Sequence, residues 1–405
     1  LVAHGLMFPV DVSTAAQATI GGMAGNNSCG ARSIRYGTMR DNVLSISGIL
    51  STGERHRFGG LARSRPQGSL EHALLEIGVA EAQEIQKCFP KVQRRVGGYN
   101  IDALIAPLGG SEVNFAHLLV GSEGTLAFSE EIELKLVEVP NYKVLGVCHF
   151  PSFYAAMEAS QHLVALGPCA VELVDKTMID LSRENPVFRP VIDRCVKGEP
   201  QALLLVEFAG ESQPDQLAAL NRLHELMGDL GFSDSVIDAV DPQFQKEIWE
   251  VRKAGLNIMM SMKGDGKPIS FIEDCAVRLE DLAEYTRRLT DIFEKNGTSG
   301  TWYAHASVGC LHVRPVLNLK QEVDVKKMRD IAEEAFAMVR EYKGSHSGEH
   351  GDGLVRSEFH EAMFGKQMVE TFGKVKNLFD PRNIFNPGKI VNPSKMDDRS
   401  LFRFK

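Results

Sequence analysis

The chain has 405 residues, enough for two or three domains that each bury a core, and its 43% hydrophobic and 24% charged content is that of an ordinary globular protein. A formal net charge of −8 supplies no basic face for nucleic acid, and no apolar run approaches the roughly 20 residues that span a bilayer. Seven cysteines (Cys29, Cys88, Cys148, Cys169, Cys195, Cys275 and Cys310) are odd in number with no C-x-x-C spacing. That excludes a disulfide framework, a zinc knuckle or an iron–sulfur cluster within the chain, and it fits a reduced, cytoplasmic setting.

In chain order, residues 1–140 are rich in Gly, Asn and Ser, with short apolar runs such as "NVLSISGIL" and "EIELKLVEV" that predict strands. Residues 141–341 alternate strand-like and helix-like stretches. "VLGVCHF" and "ALLLVEF" read as strands, and "FYAAMEASQHLVAL" and "QLAALNRLHELMGDLG" as helices. Leu279, Leu282, Tyr285, Leu289, Ile292 and Phe293 recur at helical spacing before Gly297, as do Val325, Met328, Ile331, Ala335 and Val339 before Gly344. This texture predicts an α+β sandwich with helices on one sheet face. Residues 342–405 close with "LFDPRNIFNPGKIVNP", whose Pro, Asn and Gly punctuation predicts turns. The opening "LVAHGLMFPVDVST" and the closing "RSLFRFK" both read as cuts through a longer polypeptide.

Four stretches carry chemistry. "TIGGMAGNNSCG" (19–30) suits either a backbone cradle for a phosphate or flat ring, or a Gly/Asn turn at a domain edge. It is not the G-x-G-x-x-G dinucleotide fingerprint. "HASVGCLH" places His305 and His312 at either end of a glycine turn, as satisfied strand residues or as two ligands of a divalent metal. "WEVRKAGLNIMMSMKGDGKP" holds Arg252, Lys253, Lys263 and Lys267, read as following a helix. "SGEHGDG" (347–353) sets Glu349, His350 and Asp352 among glycines, either a solvated surface turn or a loop built for binding or catalysis.

With "RYGTMRDNV" (35–43), "VGSEGTLAF" (120–128) and the closing "DP…NPGK" element, these stretches resemble the vanillyl-alcohol-oxidase-like flavoproteins, in the branch of D-2-hydroxyacid dehydrogenases. Within that branch the chain is most similar to the bacterial D-2-hydroxyglutarate type fused to a downstream iron–sulfur portion. The resemblance implies a partial FAD-binding domain over 1–140, an α+β substrate cap over 141–341, and a C-terminal segment over 342–405 that returns to the flavin. It also implies a first flavin subdomain ahead of Leu1, so this chain alone is expected to hold FAD weakly or not at all. Residue by residue, it places FAD against Gly21, Gly22, Asn27, Gly30, Tyr36, Gly37, Glu123, Gly124 and Asn386. A divalent metal (Zn, Mn or Fe) falls to His305, His312 and Glu349, and the substrate C1 carboxylate to Arg252 and Lys267. Arg314 stands where related enzymes often carry Asn, and reads either as a second grip on a dianionic substrate or as a surface salt-bridge partner.

One departure is plain: Ala304 precedes His305, and Ser307-Val308-Gly309-Cys310 stands where Gly-Asp-Gly-Asn is common. Both histidines persist. The implied reaction is metal-assisted oxidation of a D-2-hydroxyacid such as D-2-hydroxyglutarate or D-lactate. His350 takes the hydroxyl proton, as suits a group of ordinary pKa ~6.5. Asp352 either orients His350 or caps the turn. The implied partners are the 2-hydroxyacid and an electron acceptor: a quinone, an electron-transfer protein or the iron–sulfur portion. A cytoplasmic enzyme, peripheral to the inner membrane, follows from that. Two other readings are a metal-dependent hydrolase using the same ligands, and a flavin-free fragment without activity.

Overall fold

The computed structural model describes residues 1–62, 67–105, 112–260 and 263–403. The chain forms two compact units of mixed α+β structure. The first gathers Leu1–Gly30, Tyr36–Val137 and Phe336–Arg403, and the second Ala31–Arg35 and Glu138–Ala335. The C-terminal segment therefore shares a unit with the N-terminal region, and five residues after the first glycine-rich loop belong to the other unit. Among the described residues no helix is long and apolar enough to cross a membrane.

In the first unit, a four-stranded antiparallel sheet is formed among the described residues by β1 (Val43–Ile49), β2 (Arg55–Ala62), β3 (Glu112–Asn114) and β4 (Phe128–Leu134), in the order β3-β2-β1-β4. Alternation decides the faces. Ile46 of β1 is registered with Phe58 of β2, and both are buried, while Arg55–Glu130 and Arg57–Glu133 pair on the solvent side. The helix Lys366–Phe379 buries Met368, Phe372, Val375 and Phe379 at helical spacing, and the Phe379 ring stands 5.6 Å from that of Phe58.

On the same helix, the buried Lys376 ammonium donates to Thr125 O (2.6 Å), Phe385 O (2.9 Å) and Asp380 Oδ2 (2.7 Å). One cation thus joins the "GSEGT" turn to the C-terminal tail. That tail has no regular element over 381–392, and Asn383, Asn386 and Asn392 adopt positive φ there.

The second unit is built on β5 (Tyr142–Phe150), β6 (Ala170–Asp175), β7 (Ala202–Gly210), β8 (Val236–Ala239), β9 (Lys267–Pro268), β10 (Gly300–His305) and β11 (Cys310–Leu317). Among the described residues these make a seven-stranded antiparallel sheet, ordered β8-β5-β7-β6-β10-β11-β9. Helices cover both faces, which corrects the one-sided sandwich expected from sequence. Gly146 faces Leu220 and Leu223 of the helix Gln213–Asp229. On the opposite face Leu145, Val147, Ala170, Val174, Leu203 and Leu205 pack with Met178, Ile179, Ile192, Ile248, Trp249 and Val251 from three other helices. The physical reason is legible in β5 to β7, which are buried almost end to end rather than at alternate residues.

Inside this second core lies the carboxylate of Glu207. Arg32 grips it with two bonds, Nε to Oε1 at 2.6 Å and Nη2 to Oε2 at 2.7 Å, and Trp249 Nε1 and Cys169 Sγ also donate to it. Burial alone would raise the Glu207 pKa. The Arg32 guanidinium outweighs burial and holds it below the usual carboxylate range. Removing one partner of such a pair leaves an uncompensated buried charge. Arg32→Ala is therefore expected to lower stability by about 3–5 kcal/mol, read by urea unfolding through tryptophan fluorescence. A loss under about 1 kcal/mol, the range of an exposed pair, would show that water compensates Glu207.

Candidate functional site

In the first unit the glycine-rich stretches converge. The short helix Ile20–Asn26 starts at Thr19, whose side chain accepts from Gly22 N, and stops where Asn27 turns left-handed at φ 51°. Gly121 N donates to Ala24 O and Glu123 N to Gly25 O, both at 2.8 Å, which ties the "GSEGT" turn to that helix. Asn26 Nδ2 donates to Glu349 O at 2.7 Å. The Glu123 carboxylate accepts from Asp352 N at 2.6 Å and from Gly353 N at 3.0 Å. Gly351 is required by the closeness of this junction: its φ is +83°, and an added Cβ would stand 2.6 Å from Asn26 Oδ1 and 2.7 Å from Glu123 Oε1.

The resulting groove, about 490 Å³, is lined by Gly21, Gly22, Gly25, Asn26, Glu123, Gly124, His350 and Gly353. Added Cβ atoms on Gly21, Gly124 or Gly353 would meet no protein atom within 4 Å and would project into open space. Backbone exposed in this way is suited to a flat ring or a phosphate. Burial pushes the Glu123 carboxyl up to about 7, with the Asp352 carboxylate adding to the effect.

The "SGEHGDG" loop is pinned from below. Arg94, fully buried, forms an ion pair with Glu349 Oε2 through Nη1, while its Nη2 donates to Gly30 O at 2.6 Å. Glu349 Oε1 lies 3.7 Å from His350 Nε2. Asp352 turns away from His350: its Oδ2 accepts from Gly98 N at 2.7 Å and lies 2.9 Å from His360 Nε2, and Oδ1 lies 3.5 Å from His346 Nε2. Of the two roles expected for Asp352, orienting His350 is thus not what its carboxylate does. His360 Nδ1 faces the Ile390 carbonyl at 3.1 Å. His360 Nε2 stands beside the Asp352 carboxylate, which favours the charged form of the ring and raises its pKa. His346, Asp352 and His360 also have the composition of a metal site. Burial drives His346 down to about 3, which keeps it neutral.

In the second unit a different cluster occupies one face of the sheet. β10 and β11 pair Tyr303 with His312 and Thr301 with Arg314, so His305, Tyr303, His312 and Arg314 share that face. The turn between the two strands ends at Gly309 (φ +65°), where an added Cβ would strike Val277 O at 2.0 Å. His305 and His312 meet edge to face, ring centroids 4.8 Å apart. His305 Nδ1 lies 2.6 Å from Glu172 Oε1, and His312 Nδ1 lies 3.2 Å from Glu273 O. Acceptors at both Nδ1 positions favour a proton there, as in metal-binding histidines that bind through Nε2. A carboxylate oxygen of the buried Asp274 lies within 4.8 Å of a His312 ring nitrogen.

Arg252 sits within the helix Pro242–Met260 rather than after it. Its Nη2 donates to Glu172 Oε2 at 2.7 Å, its guanidinium stands 5.0 Å over the Tyr303 ring, and its buried Nε has no hydrogen-bond partner among the described residues. Arg314 Nε is likewise buried without one.

Of the residues expected from sequence, Gly21, Gly22, Glu123, Gly124 and His350 come together at the groove, and His305, His312, Arg252 and Arg314 belong to the sheet-face cluster. Others stand elsewhere. Gly30 packs on Asp11, with only 2.3 Å for a Cβ, and Asn27 caps its helix while its Oδ1 accepts from Arg40 N. Gly37 turns against Asp41, and Tyr36 O accepts from Asn42 Nδ2. Asn386 braces Glu123 O at 2.7 Å. Lys267 is registered with Leu317, which puts it on the sheet face opposite His312 and Arg314. Missed altogether were Arg94, Glu172, Asp274, His346 and His360. Glu172 alone carried a signal, as a carboxylate inside the apolar run "AVELV".

Residues 139–390 match the model of FAD linked oxidases, C-terminal domain, and residues 1–59 match that of an FAD binding domain. The chain is 30% identical over 402 residues to a D-2-hydroxyglutarate dehydrogenase of Haemophilus influenzae, covering 93% of this chain and 39% of that protein. It is 26% identical to a mitochondrial D-lactate dehydrogenase (cytochrome) of Arabidopsis thaliana, covering 93% and 57%. The chain thus spans about two fifths of the first of these. Solved structures of similar fold include p-cresol methylhydroxylase with substrate bound (TM-score 0.62, 11% identity, 95% and 71% covered) and 4-ethylphenol oxidase from Gulosibacter chungangensis (0.60, 12%, 96% and 72%).

The Asp352–His360 pair gives a pH signature. Burial alone would lower the His360 pKa, but the Asp352 carboxylate outweighs it and raises it, so the stabilisation is full below about 6.5 and lost as pH rises through the raised value. Burial alone would raise Asp352. The His360 cation outweighs it and depresses Asp352 to about 2, so its contribution is lost only as pH falls through that value. In urea unfolding, the stability gap between wild type and His360→Gln should be widest near pH 5–6 and narrow towards alkaline pH. A gap that widens with rising pH would mean that His360 is neutral.

Proposed function

The chain belongs to the FAD-linked oxidases, and from that premise we propose that it is the flavin- and substrate-handling part of an FAD-dependent dehydrogenase that oxidises a D-2-hydroxyacid to the 2-oxoacid. The observation that carries this reading is the sheet-face cluster: two histidines in the ligand tautomer beside two arginines with unsatisfied buried donors. FAD fits the first unit because bare glycine backbone at Gly21, Gly22 and Gly124 opens onto the groove. Once bound, it supplies the two-electron acceptor for the C2 hydrogen. A divalent metal fits His305 and His312 by the chemistry of their Nε2 lone pairs, with Glu349 as the third donor of the proposal, and supplies Lewis acidity toward the substrate hydroxyl.

The remaining steps belong to side chains. His350, on the groove wall, takes the C2 hydroxyl proton on an imidazole nitrogen. Arg252 holds the C1 carboxylate, using the donor that has no partner among the described residues. Arg314 adds a second cation on the same face, which suits a second carboxylate and favours D-2-hydroxyglutarate over D-lactate. Fixing both ends of the substrate keeps C2 oriented for loss of the hydroxyl proton and the C2 hydrogen.

In the full-length holoenzyme, anaerobic mixing with D-2-hydroxyglutarate should bleach the flavin band and the L-enantiomer should not; failure with every D-2-hydroxyacid tried would remove the proposal. Arg314→Ala should raise KM for D-2-hydroxyglutarate by about 10-fold or more while changing that for D-lactate little, since only the former presents a second carboxylate. The double variant His305→Ala, His312→Ala should lose its divalent metal in elemental analysis. Equal metal content in wild type and variant would place the metal elsewhere.

A further inference from the structure

Glu172 stands in the middle of β6, 1% exposed, flanked by the buried Ala170, Val171, Leu173 and Val174. A carboxylate at such a position is unfavourable unless fixed partners replace its water. Two are described: Arg252 Nη2 donates to Oε2 at 2.7 Å, and His305 Nδ1 lies 2.6 Å from Oε1. The β6–β10 register explains the second contact. Val174 opposes Tyr303 and Leu173 opposes Ala304, so one step further along sets Glu172 beside His305 on the same face.

We propose that Glu172 is a positioning residue that prepares both groups at once: it fixes His305 with the proton on Nδ1 and the lone pair on Nε2, and it clamps Arg252 so that Nε is presented as a donor. The metal and substrate roles of those two residues rest on the function proposed above; the tautomer and the clamp do not.

An ionised carboxylate only accepts, so a ring nitrogen 2.6 Å away must carry the proton. His312 reaches the same tautomer by a different device, the Glu273 carbonyl. Two neighbouring rings made alike by unrelated partners are hard to attribute to packing alone. The geometry also demands glutamate. Aspartate is one methylene shorter and cannot span from β6 to both a helix and β10. Glutamine can turn its NH₂ toward His305, which would force the proton onto Nε2 and remove the lone pair. Carboxylates behind metal-ligating histidines act in this way, and losing one typically weakens metal affinity about 10- to 100-fold.

The test uses the full chain labelled with ¹⁵N-histidine, assigned by a His305→Gln variant. Wild type should show His305 protonated at Nδ1 without added metal; a proton on Nε2 in wild type would overturn the assignment outright, with no variant needed. In Glu172→Gln the His305 pattern should shift toward Nε2–H while that of His312 stays unchanged. Zinc affinity by chelator competition should fall about 10- to 100-fold. A purely structural ion pair would lower thermal stability but leave the tautomer alone, so an unchanged His305 pattern with unchanged zinc affinity also overturns the proposal. Should wild type bind no zinc while Glu172→Gln still switches the tautomer, the metal reading falls and the assignment of Glu172 stands.

Discussion

A carboxylate taken out of water must be given a cation or a set of N–H donors, and in both units that requirement fixes where the chemistry-bearing segments lie. In the first unit Glu349 is held by Arg94, Asp352 by His360 and Gly98 N, and Glu123 by the backbone of Asp352 and Gly353. The loop at 347–353 has too many glycines to define its own conformation. Three acidic side chains define it instead. In the second unit Glu172 sets His305 and Arg252, and Glu207 binds Arg32 on the short stretch that follows the first glycine-rich loop. These pairs do more for geometry than for net stability, because a buried ion pair gains little over apolar packing of the same volume.

The same logic separates His350 from its neighbours. Glu349 and Asp352 are buried at 8% and 1% exposure, whereas His350 stays one third exposed on the wall of a groove. The glycine-rich turn sends the two acids inward as anchors and leaves the imidazole outward. A group that exchanges protons with a ligand needs that access, and a group that fixes a loop does not.

Much of the fold was legible because it rests on local signals. Helical spacing before Gly297 and Gly344 gave the helices Leu282–Lys295 and Glu322–Glu341, and apolar runs gave β5 and β7. The one-sided sandwich failed although the same runs, apolar on both parities, already implied a sheet covered on both faces. At the site, the histidine pair, the "GSEGT" turn and the "SGEHGDG" loop were visible as motifs. Their supports were not. Arg94 reads as half of a surface Arg-Arg pair, and His360 as an ordinary helix residue, because a partner 8 to 255 positions away leaves no local trace. Residues drawn from resemblance alone divided by backbone role: Gly21, Gly22 and Gly124 open onto the groove, whereas Asn27 and Gly30 shape the chain behind it.

The proposed function divides labour inside one loop: Glu349 would serve as the fixed donor and the exposed His350 would move the proton. The most direct test compares His350→Asn with wild type in the full-length holoenzyme, measuring flavin content, metal content and turnover across pH. The account predicts retained flavin and metal, turnover lower by about 10²–10⁴-fold near neutral pH, and partial recovery at high pH, where hydroxide can take the proton. Near-normal turnover at neutral pH with a wild-type pH profile would contradict it.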